Sequence, residues 1–478
     1  MAEDTSRLSA DLCIIGGGSG GLVVAAVAAP LGVKTVLIEG HKMGGDCLNY
    51  GCVPSKAVIA AGKYAHHQRE SGRFGVTPAT GAVDFKAVHD HIHDVIAGIA
   101  PHDSPERFEQ LGAKVIQAKA AFTDQKTVQA NGAAITAKRF VIATGSRAVV
   151  PPIEGLADVP YLTNETVFDL TEQPRHLIVL GGGPIGMEIA QAHRRLGAQV
   201  TVVEMGDPMG KDDPELVEVV LEAVRADGVD IRRNTKAVKV AQQDNEIVLT
   251  VQENGQTQDL RGSHLLVATG RAPVVDGLNL EAAGVDYDKR GIKVDPRLRT
   301  SNKKIYAVGD CRGGQQFTHA ASYDAGIVIR NALFRSPAKA DPGAIPHVTY
   351  TDPELAQIGP TEAEARDQHG DKIRVVRFPY QDNDRARAER ATRGFVKVVT
   401  DKKGKILGAG IVGLQAGELL QPWILAIGQG LTMRAFTEMV APYPTLGEIN
   451  KRVASEYYRE ALFSGKARAL VKFLQMLG

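Results

Sequence analysis

Leu12-Cys13-Ile14-Ile15-Gly16-Gly17-Gly18-Ser19-Gly20-Gly21 is the stretch whose reading decides the fold. Its four leading residues read as a buried strand that runs into Gly16-x-Gly18-x-x-Gly21 and then into a helical segment, Leu22 to Ala29. A second strand, Lys34 to Ile38, ends in Glu39, 23 residues after Gly16. Strand, glycine turn, helix, strand and terminal acid make the βαβ unit that cradles a dinucleotide. The glycines let the backbone approach a pyrophosphate resting on the helix N-terminus, and Glu39 accepts hydrogen bonds from a ribose.

The same pattern returns farther on. His176 to Leu180 reads as a strand, Gly181-x-Gly183-x-x-Gly186 as the turn, Met187 to Leu196 as the helix, and Gln199 to Val203 as a strand ending in Glu204. Glu204 again lies 23 residues after the first glycine of its motif. Each unit is followed by a strand ending in Ala-Thr-Gly, at Ala143-Thr144-Gly145 and at Ala268-Thr269-Gly270. Two such units imply two dinucleotides. A carboxylate at Glu204 pairs with a free ribose 2′-OH and repels a 2′-phosphate, and Met205, Gly206 and Asp207 supply no cation. NADH is therefore expected over NADPH.

Between the two units lies Gly44-Gly45-Asp46-Cys47-Leu48-Asn49-Tyr50-Gly51-Cys52-Val53-Pro54-Ser55-Lys56. A disulfide needs Cα atoms roughly 4.4–6.8 Å apart, less than the i, i+5 spacing of a straight helix. The segment must bend, and Gly44, Gly45, Asn49 and Gly51 tolerate a bend. Pro54 suits a helix's first turn, so Cys52 is expected at a helix N-terminus, where a thiol's pKa falls. That is the setting of a redox cysteine, weighed against an ordinary buried or stapled pair.

Composition bounds the rest. The 478 residues allow about three domains. With 56 basic and 55 acidic side chains the net charge is +1, which gives no electrostatic reason to expect a nucleic-acid partner. Four cysteines in so long a chain exclude a secreted disulfide scaffold. The polar start shows no signal peptide, and the longest apolar run, Leu22 to Val33, is too short to span a bilayer. A cytoplasmic enzyme with a small-molecule substrate is expected. His89, His91 and His93 do not share one helical face and read as solvated positions, with no metal site expected. Beyond Pro346, alternating strands such as Phe395 to Val399 and Ile406 to Val412 give way to helices, an α+β texture. Ala461 to Leu477 reads as one basic amphipathic helix, expected to pack against its own protein rather than a membrane.

In this order and spacing, the first glycine motif, Cys47-x₄-Cys52 with Val53-Pro54-Ser55-Lys56, the second glycine motif and Gly309-Asp310 resemble the class I pyridine nucleotide-disulfide oxidoreductases. Dihydrolipoamide dehydrogenase, glutathione reductase and mercuric reductase are members. The resemblance implies an α/β fold with two Rossmann-like dinucleotide-binding domains and a C-terminal α+β dimerisation domain. Its division is 1–152 and 274–345 for FAD, 153–273 for NAD(P)H and 346–478 for dimerisation. It implies that FAD lies on Gly16, Gly18, Gly21, Glu39, Thr144, Gly145 and Asp310, and the nicotinamide cofactor on Gly181, Gly183, Gly186, Glu204 and Gly270. Cys52 would be the thiolate against the flavin and Cys47 the interchange thiol. Lys56 and Glu188 would form an ion pair beside the flavin N5, where hydride arrives. Cys13 and Cys311 are expected to be structural.

The resemblance also implies a homodimer whose active sites are shared, with Tyr443 and Glu448 arriving from the partner. Disulfide reductases of the family carry histidine where this chain has Tyr443, in Tyr443-Pro444-Thr445-Leu446-Gly447-Glu448. A phenol with a pKa of about 10 is a poor base near neutral pH. Ala441-Pro442-Tyr443 and Thr392-Arg393-Gly394-Phe395 are similar to mercuric reductase, but no cysteine follows Cys311, so the expected subgroup is mercuric reductase-like without the C-terminal cysteine pair. The expected activity passes electrons from NADH through FAD to Cys47–Cys52 and on to a disulfide or related electrophile. Mercuric ion reduction and an NADH-binding flavoprotein sensor are the alternatives.

Overall fold

The computed structural model describes residues 7–79, 81–341, 343 and 345–477, so the polar residues 1–6 of the sequence reading lie outside it. The chain forms two compact units, one of Met1–Met205 with Arg232–Pro342, the other of Gly206–Ile231 with Gly343–Gly478.

The first unit is organised by the strand Arg7–Ile15. It pairs in parallel with Thr35–Glu39 on one side and Ala133–Ile142 on the other. Lys114–Gln117 extends the sheet beyond Thr35–Glu39, Ile305–Ala307 joins Ala133–Ile142 in parallel, and the antiparallel strands Thr127–Ala130 and Ala120–Asp124 complete seven. Period-two alternation sends Cys13 and Ile15 into one apolar cluster with Phe122 and Phe140. Leu12 and Ile14 enter the opposite cluster with Val24, Ala25 and Val328. Both faces are covered, which is why the strand reads as a continuous apolar run.

The second motif rebuilds this geometry on the parallel strands Gln199–Val203, His176–Leu180 and His264–Val267. Gly16 and Gly181 have the same backbone φ of +111°. A Cβ on Gly16 would lie 2.2 Å from the Ala143 carbonyl oxygen, and one on Gly181 2.4 Å from that of Ala268. Both positions require glycine for conformation and for space. The Ala-Thr-Gly strand ends are thus the walls against which each glycine turn closes.

In the second unit, a five-stranded antiparallel sheet runs in the order His347–Thr349, Glu354–Ile358, Ile406–Gly413, Phe395–Asp401, Ile373–Pro379. Its helices close a core in which buried Trp423 stacks on Phe436 with ring centroids 3.9 Å apart and donates to Asn450 Oδ1 at 2.8 Å. Motif order assigns 206–231 to the second dinucleotide module, yet its packing groups it here. Lys397, with 4% of its side chain exposed, reaches Asp213 at 2.8 Å, Glu362 at 3.0 Å and Glu215 at 3.2 Å.

The C-terminal segment differs from the single packed helix expected. Glu448–Leu462 ends at Phe463, and a separate helix, Gly465–Gln475, starts from Ser464, whose side chain accepts from the Ala467 N–H. Local capping by serine breaks the helix. No residue of Gly465–Gln475 is buried in this chain.

Candidate active site

The cysteine segment is two helices joined by a sharp turn. Gly44 and Gly45, at φ +84° and +61°, turn the chain into the short helix Gly45–Asn49, which carries Cys47. The Asn49 amide donates to the carbonyls of Gly45 and Met43 at 2.8 and 3.0 Å, which fastens the turn. Gly51 then precedes the 19-residue helix Cys52–Glu70, so Cys52 is its first residue.

The two cysteines are free thiols, and a hydrogen bond joins their side chains. That bond is the main reason Cys52's pKa is pulled down to about 6 from the ordinary 9. A hydrogen bond from Thr318 and the charge of Lys56 act in the same direction, while burial and Glu188 oppose them. The Cys47 thiol moves up, first because it donates to Cys52 and second because it is partly buried. One proton is thus held on Cys47, and the negative charge rests on Cys52. Thr318 Oγ1 lies 3.4 Å from Cys52 Sγ and opens the helix Thr318–Ala332, so two helix N-termini border this sulfur.

Lys56 lies one helical turn beyond Cys52 and reaches Glu188 at 2.8 Å. Glu188 sits on the helix Pro184–Leu196 with 7% of its side chain exposed, so its charge is matched where water is scarce. Close approach of the two helices is permitted by Gly62, where a Cβ would come within 3.0 Å of the Ala192 carbonyl oxygen.

A second polar chain links the cysteine loop to Asp310. Ser146 Oγ donates to Asp310 Oδ2 at 2.5 Å, and Arg271 Nε donates to Ser146 Oγ at 2.7 Å. Arg271 also pairs with Asp46 at 3.1 Å, and Asn164 Nδ2 donates to Asp46 Oδ1 at 2.9 Å. Burial pushes the Asp310 carboxyl upward, with the Ser146 hydrogen bond opposing it. Sequence reasoning missed Asp46, Ser146, Asn164, Arg271 and Thr318. Ser146 and Arg271 each directly follow an Ala-Thr-Gly, a signal that was available. Asn164 and Thr318 carry no local signal.

The residues present fit two dinucleotides. A Cβ on Gly21 would lie 1.9 Å from the Gly16 carbonyl oxygen, and one on Gly186 2.0 Å from that of Gly181, so each helix start is pressed against its own turn. A Cβ on Gly145, Gly183 or Gly270 would meet nothing within 4 Å, which leaves backbone open to a ligand. Glu39 accepts from the N–H groups of Gly17 at 2.5 Å and His41 at 2.6 Å, and Glu204 accepts from that of Gly182 at 2.7 Å. Each carboxylate is thus locked beside its turn, where a ribose would meet it. FAD would use Gly16, Gly18, Gly21, Glu39, Thr144, Gly145 and Asp310. The nicotinamide dinucleotide would use Gly181, Gly183, Gly186, Glu204 and Gly270. One nearby cation was invisible along the chain: the Glu204 N–H donates to the Arg232 carbonyl at 2.9 Å, while the Arg232 guanidinium donates to Gln258 at 2.7 Å.

Tyr443 and Glu448 belong to the second unit. Tyr443 is 68% exposed, precedes a cis bond to Pro444, and donates to Asp384 Oδ2 at 3.1 Å. That acceptor raises the phenol further above its ordinary pKa of 10. Glu448 opens the helix Glu448–Leu462 and accepts from Arg452 Nε at 2.9 Å. Of the other singled-out residues, His89 and His93 stack with centroids 4.0 Å apart, half-buried, while His91 is exposed. Cys13 and Cys311 are fully buried, and burial pushes the Cys311 thiol up to about 11. Among the described residues, no helix is long and apolar enough to cross a membrane.

Known proteins are similar to this chain over most of its length. The family profile described as pyridine nucleotide-disulphide oxidoreductase matches residues 10–325, and its dimerisation-domain profile matches residues 345–454. Mercuric reductase of Bacillus cereus is 35% identical over 449 residues, spanning 93% of this chain and 71% of that protein. Dihydrolipoyl dehydrogenase of Geobacillus stearothermophilus is 33% identical over 461 residues, spanning 95% of this chain and 97% of that one. The solved structure of the HOCl-induced flavoprotein disulfide reductase RclA from Escherichia coli, as its Cu(II) complex, matches with a TM-score of 0.84 at 27% identity, over 94% of this chain and 99% of that chain. With profiles covering most of its length and relatives above 30% identity over nearly all of it, this chain belongs to the pyridine nucleotide-disulphide oxidoreductase family and is an FAD-dependent, NAD(P)H-linked enzyme.

Proposed function

We propose that this enzyme uses NADH to reduce a disulfide or a related small electrophile at Cys47 and Cys52. The observation that carries the reading is the hydrogen-bonded thiol pair in which the charge rests on Cys52, beside Thr318 and Lys56. When bound, FAD supplies the two-electron link between NADH and the Cys47–Cys52 disulfide. The protein's own groups do the rest. The Cys47 proton shifts along its hydrogen bond to Cys52, and the Cys47 thiolate attacks one sulfur of the substrate disulfide. A mixed disulfide forms and the first thiolate leaves. Cys52, deprotonated again, attacks the Cys47 sulfur, closes the Cys47–Cys52 disulfide and expels the second thiolate. The dithiol loses two electrons and the substrate gains two; the proton first held on Cys47 and one from solvent complete the two product thiols.

Lys56, oriented by Glu188, holds negative charge on Cys52 between these steps. In a homodimer, Tyr443 and Glu448 of a second copy complete the site, with the phenol serving as a hydrogen-bond donor to the leaving thiolate. A group whose pKa lies above 10 is a donor and not a base at neutral pH. The domain division proposed is 1–152 with 274–345 for FAD, 153–273 for NADH and 346–478 for dimerisation. The preference for NADH over NADPH is supported by Glu204 and by the engagement of Arg232 with Gln258.

A second reading takes Hg(II) as the substrate of the same soft thiol pair. It is favoured by the curated relatives named mercuric reductase at 35% identity. A steady-state panel of NADH and NADPH against lipoamide, glutathione disulfide, Hg(II) and a quinone tests both. The first reading expects NADH-linked disulfide turnover that Cys47→Ser and Cys52→Ser each abolish. Turnover with Hg(II) and none with any disulfide would replace it by the second. Preference for NADPH would overturn the reading of Glu204.

A further inference from the structure

Gly465–Gln475 leaves its apolar side uncovered. Leu470, Val471, Phe473 and Leu474 are 53–57% exposed and Leu477 is 69% exposed. Their spacing places Leu470, Val471 and Leu474 in one helical stripe, with Phe473 at its edge, while Arg468, Lys472 and Gln475 occupy the other side. From Ala461 to the end of the sequence there are three cations, Lys466, Arg468 and Lys472, and no Asp or Glu. Of the 23 exposed large hydrophobic side chains among the described residues, eight fall between Leu462 and Leu477. Monomeric soluble proteins rarely expose so concentrated an apolar patch without a partner.

We propose that this helix is a docking face for an anionic lipid surface. At 11 residues it is about 16 Å long, too short to cross a bilayer but long enough to lie in the headgroup region with its apolar stripe inserted. Charge complementarity selects the occupant. A second copy of the same helix would bring three cations against three, whereas anionic headgroups neutralise them. Lys466 lies on the helix between Phe473 and Leu470, where its stem can run along the stripe while its ammonium reaches the headgroups. The matched dimerisation profile ends at residue 454, ahead of this helix. Attachment of this kind is peripheral and reversible, and it leaves Cys47, Cys52 and the glycine turns unaltered.

The test is co-flotation of the full-length holoenzyme with phosphatidylcholine vesicles, with and without phosphatidylglycerol, at low and high salt. Binding is expected only with phosphatidylglycerol, weakening as salt rises. A K466E/R468E/K472E variant should bind at least about tenfold more weakly, and L470D/L474D should not float, both with NADH turnover unchanged. These side chains are exposed, so the variants keep the fold. No flotation with anionic vesicles, or equal flotation with neutral ones, would overturn the proposal. So would a wild type that stays off vesicles while L470D/L474D lowers its oligomeric state in sedimentation velocity, because the face would then be an interface between copies.

Discussion

Replacing Cys47 by alanine removes the donor that does most to stabilise the Cys52 thiolate. With the wild-type Cys52 pKa pulled down to about 6, about nine-tenths of it should be thiolate at pH 7. Without Cys47 the Thr318 hydroxyl and the Lys56 ammonium still favour the charged form, which keeps the pKa below the ordinary value of 9. A rise of about two units would leave about one-tenth as thiolate at pH 7 and slow alkylation of Cys52 about tenfold, because the thiolate is the nucleophile. The assay is the pH profile of Cys52 carboxymethylation in the reduced enzyme, read by peptide mass so that Cys13 and Cys311, both buried, do not contribute. In the C47A background, Thr318→Val should raise the midpoint again and Thr318→Ser should restore it, since only the hydroxyl 3.4 Å from the sulfur differs. A C47A midpoint still at about 6 would refute the reasoning, because Thr318, the helix N-terminus and Lys56 would then account for the thiolate without Cys47.

Gly186→Ala puts a methyl group 2.0 Å from the Gly181 carbonyl oxygen; NADH should bind about tenfold or more weakly in fluorescence titration, with FAD content per chain unchanged. Gly326→Ala, where a Cβ meets nothing within 4 Å, is the control and should leave both values alone. His193 is buried to 1% exposure, its Nδ1 has no hydrogen-bond partner, and burial holds its pKa down to about 4. Because the unfolded chain takes up a proton near 6.5 that the folded chain refuses, wild-type stability should fall between pH 6.5 and 4 by up to about 3 kcal/mol. Urea denaturation should show the wild-type-minus-His193→Leu difference changing across that window, and a constant difference would exclude the assignment.

The division between local and long-range information runs through individual residues. Both glycine turns, the strands His176–Leu180 and Gln199–Val203, and the helix beginning at Cys52 were legible in the sequence, because each depends on neighbours within a few positions. Backbone conformation, Cβ crowding and period-two alternation are local properties, and so is the glutamate that closes on the turn of its own βαβ unit. The Lys56–Glu188 pair came from resemblance, since nothing local announces a contact across 132 positions.

What the tertiary structure alone decided is which distant groups meet. Thr318 reaches Cys52 from 266 positions away, and Arg271 reaches Asp46 while holding Ser146 against Asp310. The grouping of 206–231 with the C-terminal unit includes the pairs that buried Lys397 makes with Asp213 and Glu215, which no periodicity reveals. The last helix makes the same point from the other side. Its amphipathic pattern is plain in the sequence, but a pattern states only that a face seeks cover. Whether the chain itself supplies that cover is a question of packing, and here it does not.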